Sequence, residues 1–161
     1  MGKVITVQKA IKIVKTLHTS GKTLVLAGGC FDILHIGHIA YLTKAKEQGD
    51  ILMVLLENDT TIKKIKGKNR PLHSQKDRAA ILASLQVIDY IVLLPFMKDD
   101  TSYEKLVISL KPGIIAATKG DPQEANKQRQ AKQIHAKVVT VVNRISDSST
   151  SKLAKLLYQE I

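Results

Sequence analysis

The chain has 161 residues, of which 44% are hydrophobic and 24% charged, and it carries a formal net charge of +11. This composition is typical of one soluble globular domain; no apolar stretch is long enough to span a bilayer, and the single cysteine cannot form an internal disulfide. The charge suits polyanionic partners, but the lysines are scattered and aromatic residues make up only 4%, which argues against nucleic-acid binding as the main function.

The first predicted element is an amphipathic helix over residues 4–17, where apolar side chains recur on one face until Gly21 ends the pattern. No signal-peptide pattern precedes it, so we expect a cytoplasmic protein without a membrane partner. The next apolar run, residues 24–27, predicts a buried strand. Gly28 and Gly29 follow directly, and they remove the side chains that would keep a phosphate away from the backbone.

Two histidines, His35 and His38, stand where the next helix begins. At positions i and i+3 they share one helical face, and Gly37 between them lets a ligand come close. A helix start offers unpaired N–H groups and a positive dipole end, and imidazole N–H groups can donate to phosphoryl oxygens. The pattern predicts a site for phosphoryl or nucleotidyl transfer. A metal site would need further ligands, and the remaining histidines show no compatible spacing.

Further apolar runs alternate with helical patterns along the rest of the chain. The additional strands are predicted at residues 50–57, 90–94, 114–118 and 137–142. The additional helices are predicted from Asn58 to Lys64 and over residues 74–85, 101–110, 122–134 and 152–161. This alternation predicts an α/β fold, with an open parallel five-stranded sheet, right-handed crossovers and helices on both faces. We expect one domain over residues 1–161, with an amino-terminal helix (1–21), a core (22–142) and a carboxy-terminal motif and helix (143–161), and no attached sugar-kinase domain.

Three polar segments follow predicted strands or begin helices. The basic loop at residues 63–73 leaves the second strand at the edge where parallel sheets bind ligands. Arg78 lies in the first turn of its helix, where a cation opposes the helix dipole unless it faces an anion. The hydroxyl-rich segment 143–151 precedes the last helix, and it offers both a cap and donors to an anion.

Residues 31–38, FDILHIGH, resemble the signature of the cytidylyltransferase-like nucleotidyltransferases. With Gly29 and Cys30 ahead of it and Tyr41 behind, the segment is most similar to the adenylyltransferase domain that makes ADP-heptose. The basic loop resembles the Lys-Gly-x-x-Arg-Pro segment of that family, and residues 149–151 resemble its Ser-Thr-Thr motif. Residues 118–122, TKGDP, match its Lys-Gly-Gly-Asp-Tyr segment only in part.

The resemblance implies a set of residues that act on a nucleoside triphosphate. Catalytic roles fall on His35, His38, Arg78 and Lys66. Nucleotide binding falls on Gly28, Gly29, Cys30, Phe31, Asp32, Gly37, Lys68, Arg70, Lys119, Gly120, Asp121, Ser149, Thr150 and Ser151. No metal ligated directly by the histidines is expected. Mg²⁺ would enter with the triphosphate, with Asp32 as a helper.

The expected reaction is attack by the phosphate of a sugar or alcohol on the α-phosphorus of ATP or CTP, with release of pyrophosphate. A heptose phosphate is the acceptor that the resemblance favours. The alternatives in the same superfamily are a glycerol-phosphate or other alcohol-phosphate cytidylyltransferase and an FMN adenylyltransferase. A basic, non-catalytic module that binds nucleotides or nucleic acid is the alternative of a different class. Homodimers are common among such relatives.

Overall fold

The computed structural model describes residues 1–143, which form an alternating series of strands and helices. The strands are β1 (Lys3–Thr6), β2 (Leu24–Gly29), β3 (Ile51–Leu56), β4 (Tyr90–Leu93), β5 (Ile114–Thr118) and β6 (Lys137–Val142). The helices are α1 (Val7–Thr19), α2 (Ile36–Lys46), α3 (Asp59–Lys66), α4 (Gln75–Ala83), α5 (Asp100–Leu110) and α6 (Glu124–Ile134). The predicted last helix and the site residues Ser149, Thr150 and Ser151 lie outside the described residues.

The strands form one parallel sheet in the order β1-β4-β3-β2-β5-β6. The predicted α/β class and parallel sheet are confirmed, but the prediction of five strands is wrong. The sixth is β1, which occupies residues 3–6 and pairs with β4 from Lys3 opposite Tyr90 to Thr6 opposite Leu93. Helix α1 begins only at Val7, where the Thr6 side chain accepts from the Lys9 amide and caps it. A four-residue edge strand is too short for its alternation to be distinguished from the helical pattern that follows it.

The sheet carries a hydrophobic layer on each face. Side chains alternate across β3, so that Leu52, Val54 and Leu56 pack under α2 and α4, whereas Met53 and Leu55 pack under α1, α5 and α6. Both faces of the central strands are therefore buried, which explains why these strands read as continuous apolar runs.

The order in which strands are added to the sheet reverses between β2 and β5, which lie side by side. From β2 it proceeds through β3 and β4 toward one edge, and it then returns to place β5 and β6 on the other side of β2. Helices α2 and α6, which follow β2 and β5, consequently lie on opposite faces. Parallel sheets form a ligand crevice at the carboxyl ends of the strands where the order reverses, so this position defines the candidate site.

Candidate active site

The glycine turn after β2 is shaped by an aromatic ring. Phe31 adopts a positive φ of 46°, a conformation that non-glycine residues seldom take outside functional turns. Its ring is buried and fills the space beside Gly29, where a Cβ would lie 2.9 Å from the ring. The same ring lies with its centroid 5.2 Å from that of His38. The small residue at position 29 is therefore needed so that Phe31 can support the histidine.

The two histidines lie against each other at the start of α2. Their ring centroids are 3.8 Å apart with an interplanar angle of 29°. His35 is the N-cap of the helix, and its Nδ1 accepts a hydrogen bond from the Gly37 amide at 3.1 Å. That bond requires an unprotonated Nδ1, so in the neutral ring the proton is on Nε2. His35 therefore presents an Nε2–H donor beside the unpaired amides of the helix start.

Both imidazoles are held neutral. Burial is the main cause that lowers the pKa of His38 to about 4, and the neighbouring His35 and Lys66 add to it. Burial and then Lys66 also lower the pKa of His35. The structure thus brings Lys66, at the end of α3, close enough to both rings to act on them electrostatically. Near neutral pH both rings are uncharged, the Nε2–H of His35 is available as a donor, and Lys66 supplies the positive charge.

Cys30 lines the site between the glycines and the histidines. Burial raises the pKa of its thiol, and this effect outweighs the opposing charge of Lys66. The thiol therefore stays protonated at neutral pH, which does not suit a nucleophile.

Asp32 and Arg70 form a buried ion pair. The Asp32 carboxylate accepts from the Arg70 guanidinium at 2.5 Å, and its other oxygen accepts from the amides of Leu72 at 2.8 Å and His73 at 3.1 Å. These contacts fix the carboxyl end of the basic loop against the turn after β2. Arg70, which is predicted to bind the nucleotide, is consequently turned inward and buried, whereas Lys68 is exposed.

Arg78 is also an internal residue, with only 1% of its surface exposed. Its guanidinium donates to the carbonyls of Cys30 at 2.5 Å, Glu57 at 2.8 Å and His73 at 3.1 Å, and it pairs with Asp59 at 2.6 Å. The unfavourable charge in the first turn of α4 is thus compensated by protein acceptors. Arg78 joins three loops at the carboxyl ends of the strands. In this arrangement its guanidinium holds these loops in place and does not face the cavity.

The segment after β5 carries Lys119, Gly120 and Asp121. Gly120 has a φ of 71°, which a glycine adopts without strain, and Lys119 is exposed. Asp121 pairs with Lys127 of α6 at 2.7 Å, and Lys127 also donates to the Ala116 carbonyl at 2.9 Å. These bonds hold the segment against the end of β5.

A cavity of about 600 Å³ opens beside the glycine turn, at the reversal point of the sheet. Gly28 and Ala116 form part of its floor at the ends of β2 and β5. The surrounding walls come from α3, α5, α6 and the loop after β4. Neither His35 nor His38 lines this cavity. The histidine pair and the cavity are therefore separate, adjacent places at the carboxyl ends of the strands, and each can hold one of two substrates that react with each other.

The cavity contains a half-buried carboxylate that the sequence patterns did not single out. Glu57, the residue after β3, has both carboxylate oxygens 2.8 Å from the Tyr103 hydroxyl, which donates to them. Burial raises the pKa of Glu57, against the opposing effects of this hydrogen bond and of Arg78. Position alone could have indicated Glu57, because it ends a buried strand at the ligand edge of the sheet.

A family model described as cytidylyltransferase-like matches residues 26–155, which is most of the chain. The chain belongs to the cytidylyltransferase-like family. This match confirms the predicted family and, with it, the prediction of a nucleotidyltransferase.

Curated relatives agree with this family assignment. The chain is 42% identical over 143 residues to the bifunctional protein HldE of Nitratiruptor, a match that covers 89% of the chain and 29% of that protein. It is 49% identical over 104 residues to HldE of Helicobacter pylori strain J99, covering 65% of the chain and 22% of that protein. The chain therefore spans less than a third of the length of these relatives.

Two solved structures share the fold of this cytidylyltransferase-like chain. A lipopolysaccharide core biosynthesis protein from Thermoplasma volcanium superposes with a TM-score of 0.64 at 33% identity, covering 79% of this chain and 100% of that one. A pantoate-beta-alanine ligase from Francisella tularensis gives a TM-score of 0.66 at 17% identity, covering 99% and 78% of the two chains. The second likeness shows the fold alone. None of the helices within residues 1–143 has the length and hydropathy to cross a bilayer.

Proposed function

We propose that this domain transfers AMP from ATP to the phosphate of a sugar of the heptose type and releases pyrophosphate. The observation that carries the proposal is the stacked, neutral histidine pair at the start of α2, with Lys66 beside it and a cavity of about 600 Å³ next to it. The signature at residues 31–38 is similar to the adenylyltransferase domain that makes ADP-heptose. The relative from Thermoplasma volcanium, a lipopolysaccharide core biosynthesis protein, supports a sugar-phosphate acceptor.

The chemistry needs positioning and charge stabilisation rather than a protein nucleophile. An ionised oxygen of the acceptor phosphate attacks the α-phosphorus in line, a new P–O bond forms, and the bond from the α-phosphorus to the oxygen bridging to the β-phosphorus breaks. Negative charge moves to the leaving pyrophosphate. The Nε2–H of His35, the ring of His38 and the ammonium of Lys66 are suited to stabilise this charge, because they lie together at a helix start.

The two substrates have separate places in this proposal. The triphosphate lies across the histidines and the start of α2, and the acceptor enters the cavity, which opens on the same edge of the sheet. Arg78 and the Asp32–Arg70 pair act indirectly, because their buried contacts set the positions of the surrounding loops. We expect the carboxy-terminal residues 149–151 to add donors to the triphosphate, as their resemblance to the Ser-Thr-Thr motif implies.

Mg²⁺ is expected to enter bound to the triphosphate, where it neutralises phosphate charge. Asp32 does not fit the role of a metal ligand, because one of its oxygens is taken by the Arg70 guanidinium and the other by two backbone amides. Metal binding by Asp32 is therefore not part of the proposed reaction.

The test is pyrophosphate release with each pairing of ATP or CTP with D-glycero-β-D-manno-heptose 1-phosphate, glycerol 3-phosphate and FMN. The proposal expects turnover with ATP and the heptose phosphate, and its loss in His38→Ala. His18→Ala is the matched control. His18 contacts the Lys111 carbonyl at the amino ends of the strands, which is the end of the sheet opposite the candidate site. Turnover only with CTP and glycerol 3-phosphate, or only with ATP and FMN, would assign the enzyme to one of the other two acceptor classes. Nucleotide binding without turnover would indicate a non-catalytic module.

A further inference from the structure

One wall of the cavity is polar where a buried helix face is ordinarily apolar. Helix α6 and the residue before it present Gln123, Asn126, Lys127 and Gln130 to the cavity, at the i, i+3, i+4 and i+7 spacing of one helical face. Lys127 is accounted for by its bonds to Asp121 and to the Ala116 carbonyl. The others on this face are uncharged amides.

Gln130 is the deepest of these amides. It is only 7% exposed, and no hydrogen bond joins its side chain to any residue within 1–143. Most buried amides in folded proteins are hydrogen-bonded, because losing water without gaining a partner is unfavourable. The Gln130 amide faces the cavity and is bound to no residue within 1–143, so it is available to a ligand, and the Thr61 hydroxyl on the cavity wall is fully buried without a partner in the same range.

Two other polar groups of the cavity, on Glu57 and Thr61, complement this amide. The Glu57 carboxylate receives the Tyr103 hydroxyl and retains lone pairs that can accept further hydrogen bonds, and the Thr61 hydroxyl is buried on the same side. Amide N–H groups donate and a carboxylate accepts, whereas an alcohol hydroxyl can do both. A carboxylate would repel a phosphate but would accept a hydroxyl. The ligand group that fits beside Glu57 and Gln130 is therefore an uncharged polyol, whereas Lys64 and Lys98 elsewhere on the cavity wall suit a phosphate.

We propose that Gln130 and Glu57 are specificity-determining residues that recognise hydroxyl groups of the acceptor at the end remote from its reacting phosphate. This inference rests on the proposed function, since it assigns the cavity to the acceptor. It explains how the site selects a polyhydroxylated sugar over glycerol 3-phosphate, which has too few hydroxyls to occupy both walls. It also predicts discrimination against a sugar whose second phosphate would lie beside Glu57, because that carboxylate would repel it.

The test compares Gln130→Leu with Gln128→Leu, the same substitution at an exposed position of the same helix. Calorimetric titration with D-glycero-β-D-manno-heptose 1-phosphate measures acceptor binding, and titration with a non-hydrolysable ATP analogue measures nucleotide binding. Loss of the amide contacts is expected to weaken heptose-phosphate binding about tenfold in Gln130→Leu, with nucleotide binding unchanged. Gln128→Leu should match the wild type in both titrations.

Thermal unfolding of the ligand-free proteins separates recognition from a structural role. Gln130→Leu should melt no lower than the wild type, because the amide that it removes has no partner in the ligand-free fold within residues 1–143. A lower melting temperature with unchanged heptose-phosphate binding would show that the amide stabilises the fold, and it would overturn the proposal. Unchanged heptose-phosphate binding at any melting temperature would do the same.

Glu57→Gln tests the charge at nearly constant shape. In the wild type, glucose 1-phosphate should bind more tightly than glucose 1,6-bisphosphate, and the substitution should narrow or abolish that preference. Equal preference in the two proteins would refute the assignment of Glu57. Because these readouts are binding constants, they separate the two proposals: intact sugar-phosphate recognition without pyrophosphate release would contradict the proposed reaction and leave the subsite standing.

Discussion

Replacing Arg78 with methionine removes the group that joins the loops of the candidate site. The change keeps an unbranched apolar stem but leaves the carbonyls of Cys30, Glu57 and His73 without their donor, and Asp59 without its counter-charge. These three hydrogen bonds are only partly buried, so water can replace part of each, and we expect each carbonyl to lose about 1 kcal/mol, the low end for an unpaired buried group. The Asp59 side chain is 37% exposed, so solvent screens its share of the loss.

We expect Arg78→Met to lower the free energy of unfolding by about 3–5 kcal/mol, the range for removing one partner of a buried, hydrogen-bonded charge. That is a large part of the total of about 5–15 kcal/mol typical of a domain. Urea unfolding followed by circular dichroism at pH 7 measures the loss. Arg129→Met is the control, because Arg129 is 50% exposed and its contact with Glu104 is 3.4 Å long; it should change stability by less than about 0.5 kcal/mol.

The opposite pattern would refute this reasoning. If Arg78→Met unfolds at the wild-type urea concentration but binds an ATP analogue weakly, then the guanidinium contacts phosphate, as the sequence predicted. The contacts seen within the fold would then be replaceable by water.

Three other predictions concern the same edge of the sheet. In the ligand-free protein His38 should titrate near its pKa of about 4, well below the ordinary histidine value of 6.5. The contribution of His38 to the free energy of unfolding is therefore fully present above pH 6.5 and is lost as the pH falls toward 4. An NMR titration midpoint above about 6 would contradict this. Asp32→Asn should cost about 3–5 kcal/mol in urea unfolding, because Arg70 stays buried without its counter-charge, and a loss below about 1 kcal/mol would count against a strong pair. Gly29→Ala should cost about 1–3 kcal/mol, because its Cβ would lie 2.9 Å from the Phe31 ring, and an unchanged thermal midpoint would show that the ring can move.

The central strands could be predicted from the sequence because both of their faces are buried. The runs at residues 114–118 and 137–142 coincide with β5 and β6. For β2, β3 and β4, turn residues bound the apolar runs, and the predicted ends differ from the observed ends by at most two residues. The caps Asn58, Ser74 and Asp99 were also predictable, because a short polar side chain before a helical pattern is a local signal. Strand β1 could not be predicted because β4, the strand it pairs with in the sheet of residues 1–143, lies far away in sequence.

The site was predictable only where its residues are consecutive. The residue types and spacing from Gly29 to His38 predict a phosphate site, and the structure brings Gly29, His35 and His38 together around the Phe31 ring. Contacts between residues far apart in the sequence could not be predicted from local patterns. The acceptors of Arg78 come from three separate loops, and Asp32 and Arg70 are 38 positions apart. The polar cavity wall on α6 looked like an ordinary solvated helix, because composition does not reveal which face of a polar helix is buried.

The central claim is that the paired imidazoles at the start of α2 bind the triphosphate. Calorimetric titration of a non-hydrolysable ATP analogue into the wild type, His38→Ala and His18→Ala tests it most directly. We expect His38→Ala to weaken binding by about tenfold or more, the effect of losing one hydrogen bond to a charged group, and His18→Ala to bind as the wild type does. Equal affinity in all three proteins would contradict the claim.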